Sequence, residues 1–402
     1  MTSHKKILSS VKISLLVLWI TITFILIIES ILSFLYLSTY KEQLLNYMPK
    51  ADTYSGADWI EGYTEELADA YNPQWKPHVC WRNTPYQGKY LNINNHGIRK
   101  TWTTDKKNTN GDRLKIFMFG GSTMWGYGSR DEFTIPSILA KKLFENGIDA
   151  EITNFGENGY TSTQEMTYLI NELKTGNEPN LVIFYDGFND TTTAVLNQYA
   201  GGIHTSMCQQ AMDTDNKKEE NIIKRRWTFS IEKMYINRLM KNISNYLMSN
   251  KNSELVKDKF VEYKNRKVAD DVVRTYVANM KIVQSLAKNH LFNVIFYWQP
   301  NLFDKNDLSK FEKSIRKNHL EFGKYENFFM LVNSILRSSN WAKENANVFH
   351  DISSIFYKNK EPLFIDTVHL GEKGDEYIAE RMATDVLLKI RRDRKVSADA
   401  PR

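Results

Sequence analysis

Leu114-Lys-Ile-Phe-Met-Phe-Gly-Gly-Ser122-Thr-Met-Trp-Gly-Tyr-Gly128 decides how the rest of the chain is organised. Ile116 to Phe119 is a short, unbroken apolar run, the pattern of a strand buried on both faces of a parallel sheet. Gly120-Gly121 ends the run and lets the backbone turn sharply at the strand's carboxyl end, where open α/β sheets bind ligands. Ser122 is then presented to a crevice. By itself this residue reads equally as a helix cap or as a nucleophile.

Similar runs recur downstream, each ending in small or polar residues. Ala150–Phe155 leads into Gly156-Glu-Asn-Gly159-Tyr-Thr-Ser162, and Leu181–Tyr185 into Asp186-Gly-Phe-Asn189-Asp190. Phe292–Trp298 and Ala346–His350 supply a fourth and a fifth strand. Helical periodicity lies between them: Ile135 to Asn146, stopped by Gly147, and Thr163 to Leu173. Strands alternating with helices imply right-handed crossovers and a parallel sheet covered on both faces, so Ser122, Gly159 and Asn189 are expected to meet at the strand ends. A long charged insertion, about 191–289, separates the third and fourth strands. It is read as a helical subdomain or lid, with helices over Trp227–Leu247 and Val268–Lys288.

Near the carboxyl end stands Leu363-Phe-Ile-Asp366-Thr-Val-His369-Leu-Gly-Glu-Lys-Gly374, ahead of a helix running to Leu388. Asp and His three residues apart lie on one side of a turn. The carboxylate then holds one imidazole nitrogen while the other faces the crevice, which is the base-and-orienter half of a serine triad. Imidazole suits the base because it takes and returns a proton near neutral pH. The rival pair His350-Asp351 is adjacent on extended backbone, so its side chains diverge.

At the other end, Ile13–Leu37 is apolar apart from Ser, Thr and Glu29. Twenty-five residues in a helix reach about 37 Å, enough to cross a hydrocarbon core of about 30 Å. Lys5, Lys6 and Lys12 precede the run and place residues 1–12 in the cytoplasm and everything after Tyr40 outside. The run is too long for a signal-peptide core and no Ala-x-Ala site follows, so an uncleaved anchor is expected. Residues 38–113 read as a linker with short strands and turns, and 391–402 as a basic tail. His78 and His96 are read as structural.

The 402-residue chain carries a net charge of +6 and only two cysteines, Cys80 and Cys208. No basic stripe interleaved with aromatics points to nucleic acid. The cysteines stand either as two buried thiols or, in an oxidising compartment, as one disulfide. Acidic residues and histidines show no ligand spacing, so neither a metal nor another cofactor is expected.

Four stretches in this order resemble the SGNH (GDSL-type) hydrolase superfamily: Gly121-Ser122, Asn154 to Ser162, Gly187-Phe-Asn189-Asp190, and Asp366 to His369. The resemblance covers about Leu114 to Leu388. It implies a three-layer α/β/α sandwich on a flavodoxin-like parallel sheet of five strands, within a domain spanning 114–390. It also implies Ser122 as nucleophile, His369 as base and Asp366 as its orienter. The oxyanion hole would be the backbone N–H groups of Ser122 and Gly159 and the side-chain amide of Asn189, with Gly156 a rival to Gly159. Gly120-Gly121-Ser122-Thr123 departs from the family's name motif, which has an Asp ahead of the serine. The α/β-hydrolases share the order Ser, Asp, His but need Gly-x-Ser-x-Gly, whose last glycine is missing here.

The expectation is therefore a membrane-anchored extracytoplasmic serine esterase, periplasmic or extracellular. Its substrate would be an ester, an O-acetylated glycan of the envelope or a secreted polysaccharide. Trp125, Tyr127 and Tyr160 are candidates to stack on sugar rings, against ordinary packing. Three alternatives stay open: an acetyltransferase that passes the acyl group to a glycan, a lipase or thioesterase, and a glycan-binding protein without turnover.

Overall fold

The computed structural model describes residues 2–104, 113–222, 257–318 and 320–399. The Trp227–Leu247 helix expected from the sequence lies outside these, as does most of the 101–113 loop. The chain divides into two units, one of residues 1–47 with 220–258 and one of 48–219 with 259–402.

The first unit begins with helix α1 (Thr2–Tyr47). Its Lys12–Leu32 stretch is long and apolar enough to cross a membrane. Within it the hydroxyls of Thr21, Thr23 and Ser30 each donate to the carbonyl four residues earlier at 2.9 Å. These polar groups are thus satisfied inside the helix, as a hydrocarbon environment demands.

The second unit is built on a five-stranded sheet. Its strands are β5 (Leu114–Gly120), β6 (Ala150–Asn154), β7 (Leu181–Asp186), β8 (Asn293–Trp298) and β9 (Phe349–Asp351), in the order β6-β5-β7-β8-β9. Every pairing is parallel, as the alternating pattern predicts. The order changes direction at β5, which puts its carboxyl end at the switch point where such sheets bind ligands.

The flanking helices are α4 (Ile135–Glu145), α5 (Ser162–Lys174), α8 (Lys257–His290) and α9 (Glu372–Asp399). On one face Phe117, Phe119, Val182, Phe184 and Phe296 pack with Tyr168 and Leu169 of α5 and Val272, Tyr276 and Met280 of α8. Side chains of the opposite parity face α9 and α4: Tyr297 Oη donates to Asp385 of α9 at 3.1 Å, and α9 packs on α4. An aromatic column, with Phe119 stacked at 4.9 Å on Phe155 and at 5.2 Å on Phe184, ties β5 to its neighbours.

The segment before β5 is more than a linker. It holds α2 (Ile60–Ala70), an antiparallel hairpin of β1 (Pro73–Lys76) and β2 (Cys80–Asn83), and the short pair β3 (Tyr86–Gln87) and β4 (Asn92–Ile93). Arg99 bridges to Asn154 at the edge of β6. Cys80 is disulfide-bonded to Cys208, which sits in α7 (Thr205–Ile222). Of the two states open for these cysteines, the bonded one is found.

Candidate active site

The turn after β5 is tight because two glycines make it so. A Cβ on Gly120 would lie 2.8 Å from the Tyr185 carbonyl, and one on Gly121 only 2.2 Å from Asn189 Nδ2. Ser122 then opens the four-residue helix α3 (Ser122–Trp125), so its N–H has no acceptor within the helix. Gly126 closes α3 at φ +97°, a left-handed conformation that favours glycine. Its carbonyl accepts from Arg99 Nη1 at 2.6 Å, and Arg99 Nη2 reaches the Ser129 carbonyl at 2.5 Å. Arg99 is fully buried and paired with Asp131 at 3.0 Å. On the other side of the loop, Tyr54 Oη donates to the Gly128 carbonyl at 2.5 Å, and the Gly128 N–H donates to Tyr63 Oη at 2.9 Å. The amino-terminal segment thus braces the serine turn.

Asp366 and His369 lie in a turn closed by the Ile365 N–H donating to the His369 carbonyl at 2.9 Å. Asp366 Oδ1 accepts the N–H groups of Val368 and His369, both at 2.8 Å. Its Oδ2 is 2.5 Å from His369 Nδ1, and His369 Nε2 is 2.6 Å from Ser122 Oγ. Burial acts to raise the Asp366 carboxyl, but the His369 ring and these donated hydrogen bonds outweigh it and hold the group below its ordinary range. With Asp366 ionised, Nδ1 carries the proton and Nε2 is left to accept from the serine hydroxyl. The ring of Tyr127 packs against the imidazole, centroids 4.3 Å apart. Beneath the turn, Glu312 Oε1 accepts the N–H groups of Leu363 and Phe364 at 3.0 and 3.1 Å, and Glu312 is itself paired with Lys305, both side chains wholly buried.

The third group of residues forms a cradle where the chain leaves β6 and β7. Asn189, at the start of α6 (Phe188–Asn197), donates one amide hydrogen to the Tyr160 carbonyl at 2.8 Å. The other amide hydrogen has no acceptor among the described residues. Gly159 has φ +74°. Gly156, the rival donor, spends its N–H on Asn154 Oδ1 at 3.0 Å and lies so close to α3 that a Cβ would meet Trp125 N at 2.5 Å. Between the two glycines, Glu157 is buried and accepts from Asn83 N at 3.1 Å, Asn83 Nδ2 at 2.6 Å and Asn158 N at 3.1 Å. Below, Asp190 accepts from Ser162 Oγ at 2.6 Å, beside the buried carboxyls of Glu165 and Asp186. Burial raises all three carboxyls.

The structure therefore brings together Ser122, His369 and Asp366, and sets Asn189 against the Gly121 and Tyr160 backbone. His350-Asp351 stands apart: His350 packs on Tyr297, while Asp351 accepts from Arg337 and Ser353. Of the three aromatics open to either sugar stacking or ordinary packing, two are found packed. Trp125 and Tyr160 are each only 1% exposed. Trp125 lies beneath the Arg99 guanidinium and Tyr160 against Trp81, so neither offers a ring face to a ligand. The supports Arg82, whose Nη1 is 3.4 Å from the buried Glu157 carboxylate, Arg99, Lys305 and Glu312 carried no motif. What marks them is burial of charge with a partner, which only the folded chain displays.

No family model matches the sequence, and no curated protein is significantly similar to it. Among solved structures, the chain is similar to an acetyl xylan esterase at 15% identity, over 68% of this chain and 100% of the other, with a TM-score of 0.38. A lipase from a goat rumen metagenome is similar at 13% identity over 68% and 97%, TM-score 0.40. A GDSL-family lipolytic protein from Desulfitobacterium hafniense is similar at 11% identity over 68% and 99%, TM-score 0.33.

Proposed function

We propose that the protein is a serine esterase of the SGNH type, anchored in a membrane by its amino-terminal helix and working outside the cytoplasm. The observation that carries this reading is the hydrogen-bonded line Ser122 Oγ, His369 Nε2, His369 Nδ1, Asp366 Oδ2, at 2.6 and 2.5 Å between heavy atoms. His369 takes the Ser122 proton as Oγ attacks the ester carbonyl, and Asp366 stabilises the imidazolium that results. Negative charge grows on the carbonyl oxygen. The Ser122 N–H, the Gly159 N–H and the free Asn189 amide hydrogen receive it, in positions fixed before the reaction starts. His369 then protonates the leaving alcohol, leaving an acyl-serine. Water, deprotonated by the same histidine, attacks the acyl-serine and frees the acid and the serine.

Two features support the extracytoplasmic setting. The apolar Lys12–Leu32 helix follows a lysine-bearing amino terminus, in keeping with the positive-inside rule. The Cys80–Cys208 disulfide suits an oxidising compartment. An exported domain carrying the four stretches resembles SGNH esterases that act on O-acetyl groups of envelope or secreted polysaccharide, and the proposed substrate class is accordingly an O-acetylated glycan. The test is acetate release from acetylated polysaccharide by the full-length protein in detergent, with Ser122→Ala alongside. Release that persists in Ser122→Ala contradicts the reading, and acetyl appearing on an added glycan instead of in solution redirects it to transfer.

A further inference from the structure

Beyond the triad and its donors, one segment of the long insertion lies directly on the cradle. A Cβ on Gly159 would be 2.5 Å from Met207 Sδ, 3.1 Å from Met207 Cε and 3.2 Å from His204 Cδ2. Met207 and His204 thus form a roof in van der Waals reach of the glycine whose N–H serves the oxyanion. We propose that Met207 is the wall that limits acyl length, and that the Cys80–Cys208 disulfide keeps it in place. This rests on the esterase reading above.

The direction of the acyl group follows from the chemistry. The leaving oxygen must lie within reach of His369 Nε2 to be protonated. The carbonyl oxygen must point at the Gly159 N–H. The acyl substituent takes the remaining direction, away from the histidine and beneath the roof. A methyl group needs little room there, whereas each further methylene meets the Met207 thioether.

Methionine alone is a poor wall, because three rotatable bonds let it yield. Its backbone is therefore the part to fix. The Gly202 carbonyl accepts from Thr161 Oγ1 at 3.4 Å, and the Ile203 carbonyl from Asn197 Nδ2 at 3.1 Å. Next to Met207, Cys208 is bonded to Cys80, within the β1–β2 hairpin. That hairpin already grips the floor: Trp81 Nε1 donates to the Asn158 carbonyl at 3.0 Å, Gln164 Nε2 donates to the Val79 carbonyl at 2.8 Å, and Tyr160 Oη donates to the Trp81 carbonyl. Roof and floor are thereby fastened to one hairpin on either side of Gly159.

The test compares kcat/KM for p-nitrophenyl acetate and p-nitrophenyl butyrate in the full-length protein. One added methylene in a shaped apolar pocket is worth roughly 10- to 200-fold in selectivity, and butyrate carries two more than acetate. Met207→Ala is expected to raise the butyrate-to-acetate ratio about ten-fold, Met207→Phe to lower it, and Cys208→Ser to shift it in the direction of Met207→Ala. Preference among acetates of different alcohols is expected to stay as in the wild type. Unchanged acyl ratios in both Met207 variants, with Ser122-dependent acetate turnover intact, overturn the inference and leave the serine mechanism standing. A change in alcohol preference instead overturns it too. Absence of Ser122-dependent turnover in the wild type overturns both.

Discussion

The Asn189 side-chain amide donates to the Tyr160 carbonyl at 2.8 Å. This ties the loop after β7 to the loop after β6 and fixes the amide plane before any substrate arrives. A donor held in this way costs no reorganisation when charge develops. Asn189→Ala is therefore expected to lower kcat by about 10²- to 10³-fold, with a much smaller effect on KM. Steady-state kinetics on a small acetyl ester check this. A loss confined to KM would mean that Asn189 binds the ground state only.

Asp366 does two jobs with two oxygens: Oδ1 holds the turn through the Val368 and His369 N–H groups, and Oδ2 holds the imidazole. Asp366→Asn preserves an acceptor for the turn but removes the charge that supports the imidazolium. A loss of up to about 10⁴ in kcat is expected, the size seen when an orienting aspartate is replaced in this way. The circular dichroism spectrum should be unchanged. Activity within a few-fold of wild type would remove Asp366 from the mechanism.

A pH effect is expected from the carboxyls under the cradle. Burial pushes Asp186 up to about 8, with the contact to Glu165 pulling down and nearby Asp190 pushing further up. An unfolded Asp releases its proton near pH 3.9, at about that pKa. Between about pH 4 and pH 8 the folded protein therefore holds a proton that the unfolded chain has lost, and stability falls as pH rises through that window. Asp186→Asn keeps a neutral side chain at every pH. The Tm of the variant minus that of the wild type should grow steadily from pH 5 to pH 8. A constant difference would show that Asp186 is ionised throughout.

How much of this was legible beforehand varies by the kind of residue. Runs ending in small or polar residues located the core strands to within a few residues, because a doubly covered parallel strand has no polar face to blur its limits. The five strands and their parallel arrangement were read from that pattern. Asp366 and His369 were visible because three residues of spacing fits one turn. Their partner across 247 positions, Ser122, stood out by its place after the glycine-ended strand and was joined to them only through the family resemblance. For Trp125 and Tyr160 both sugar stacking and ordinary packing stayed open, because a sequence does not separate an aromatic ring in a crevice from one beneath it. The role of the segment before β5 was hidden for a related reason. Arg99, Tyr54 and Tyr63 act on carbonyl and N–H groups of the serine turn, and backbone groups leave no mark in side-chain patterns.

The most direct test is covalent. Full-length protein in detergent is treated with a fluorophosphonate, digested and mapped by mass spectrometry, with Ser122→Ala and His369→Ala in parallel. A nucleophile deprotonated by His369 Nε2 should give one adduct, on the Ser122 peptide, absent in Ser122→Ala and formed far more slowly in His369→Ala. An unlabelled wild type, or an adduct that survives in Ser122→Ala, would contradict the account.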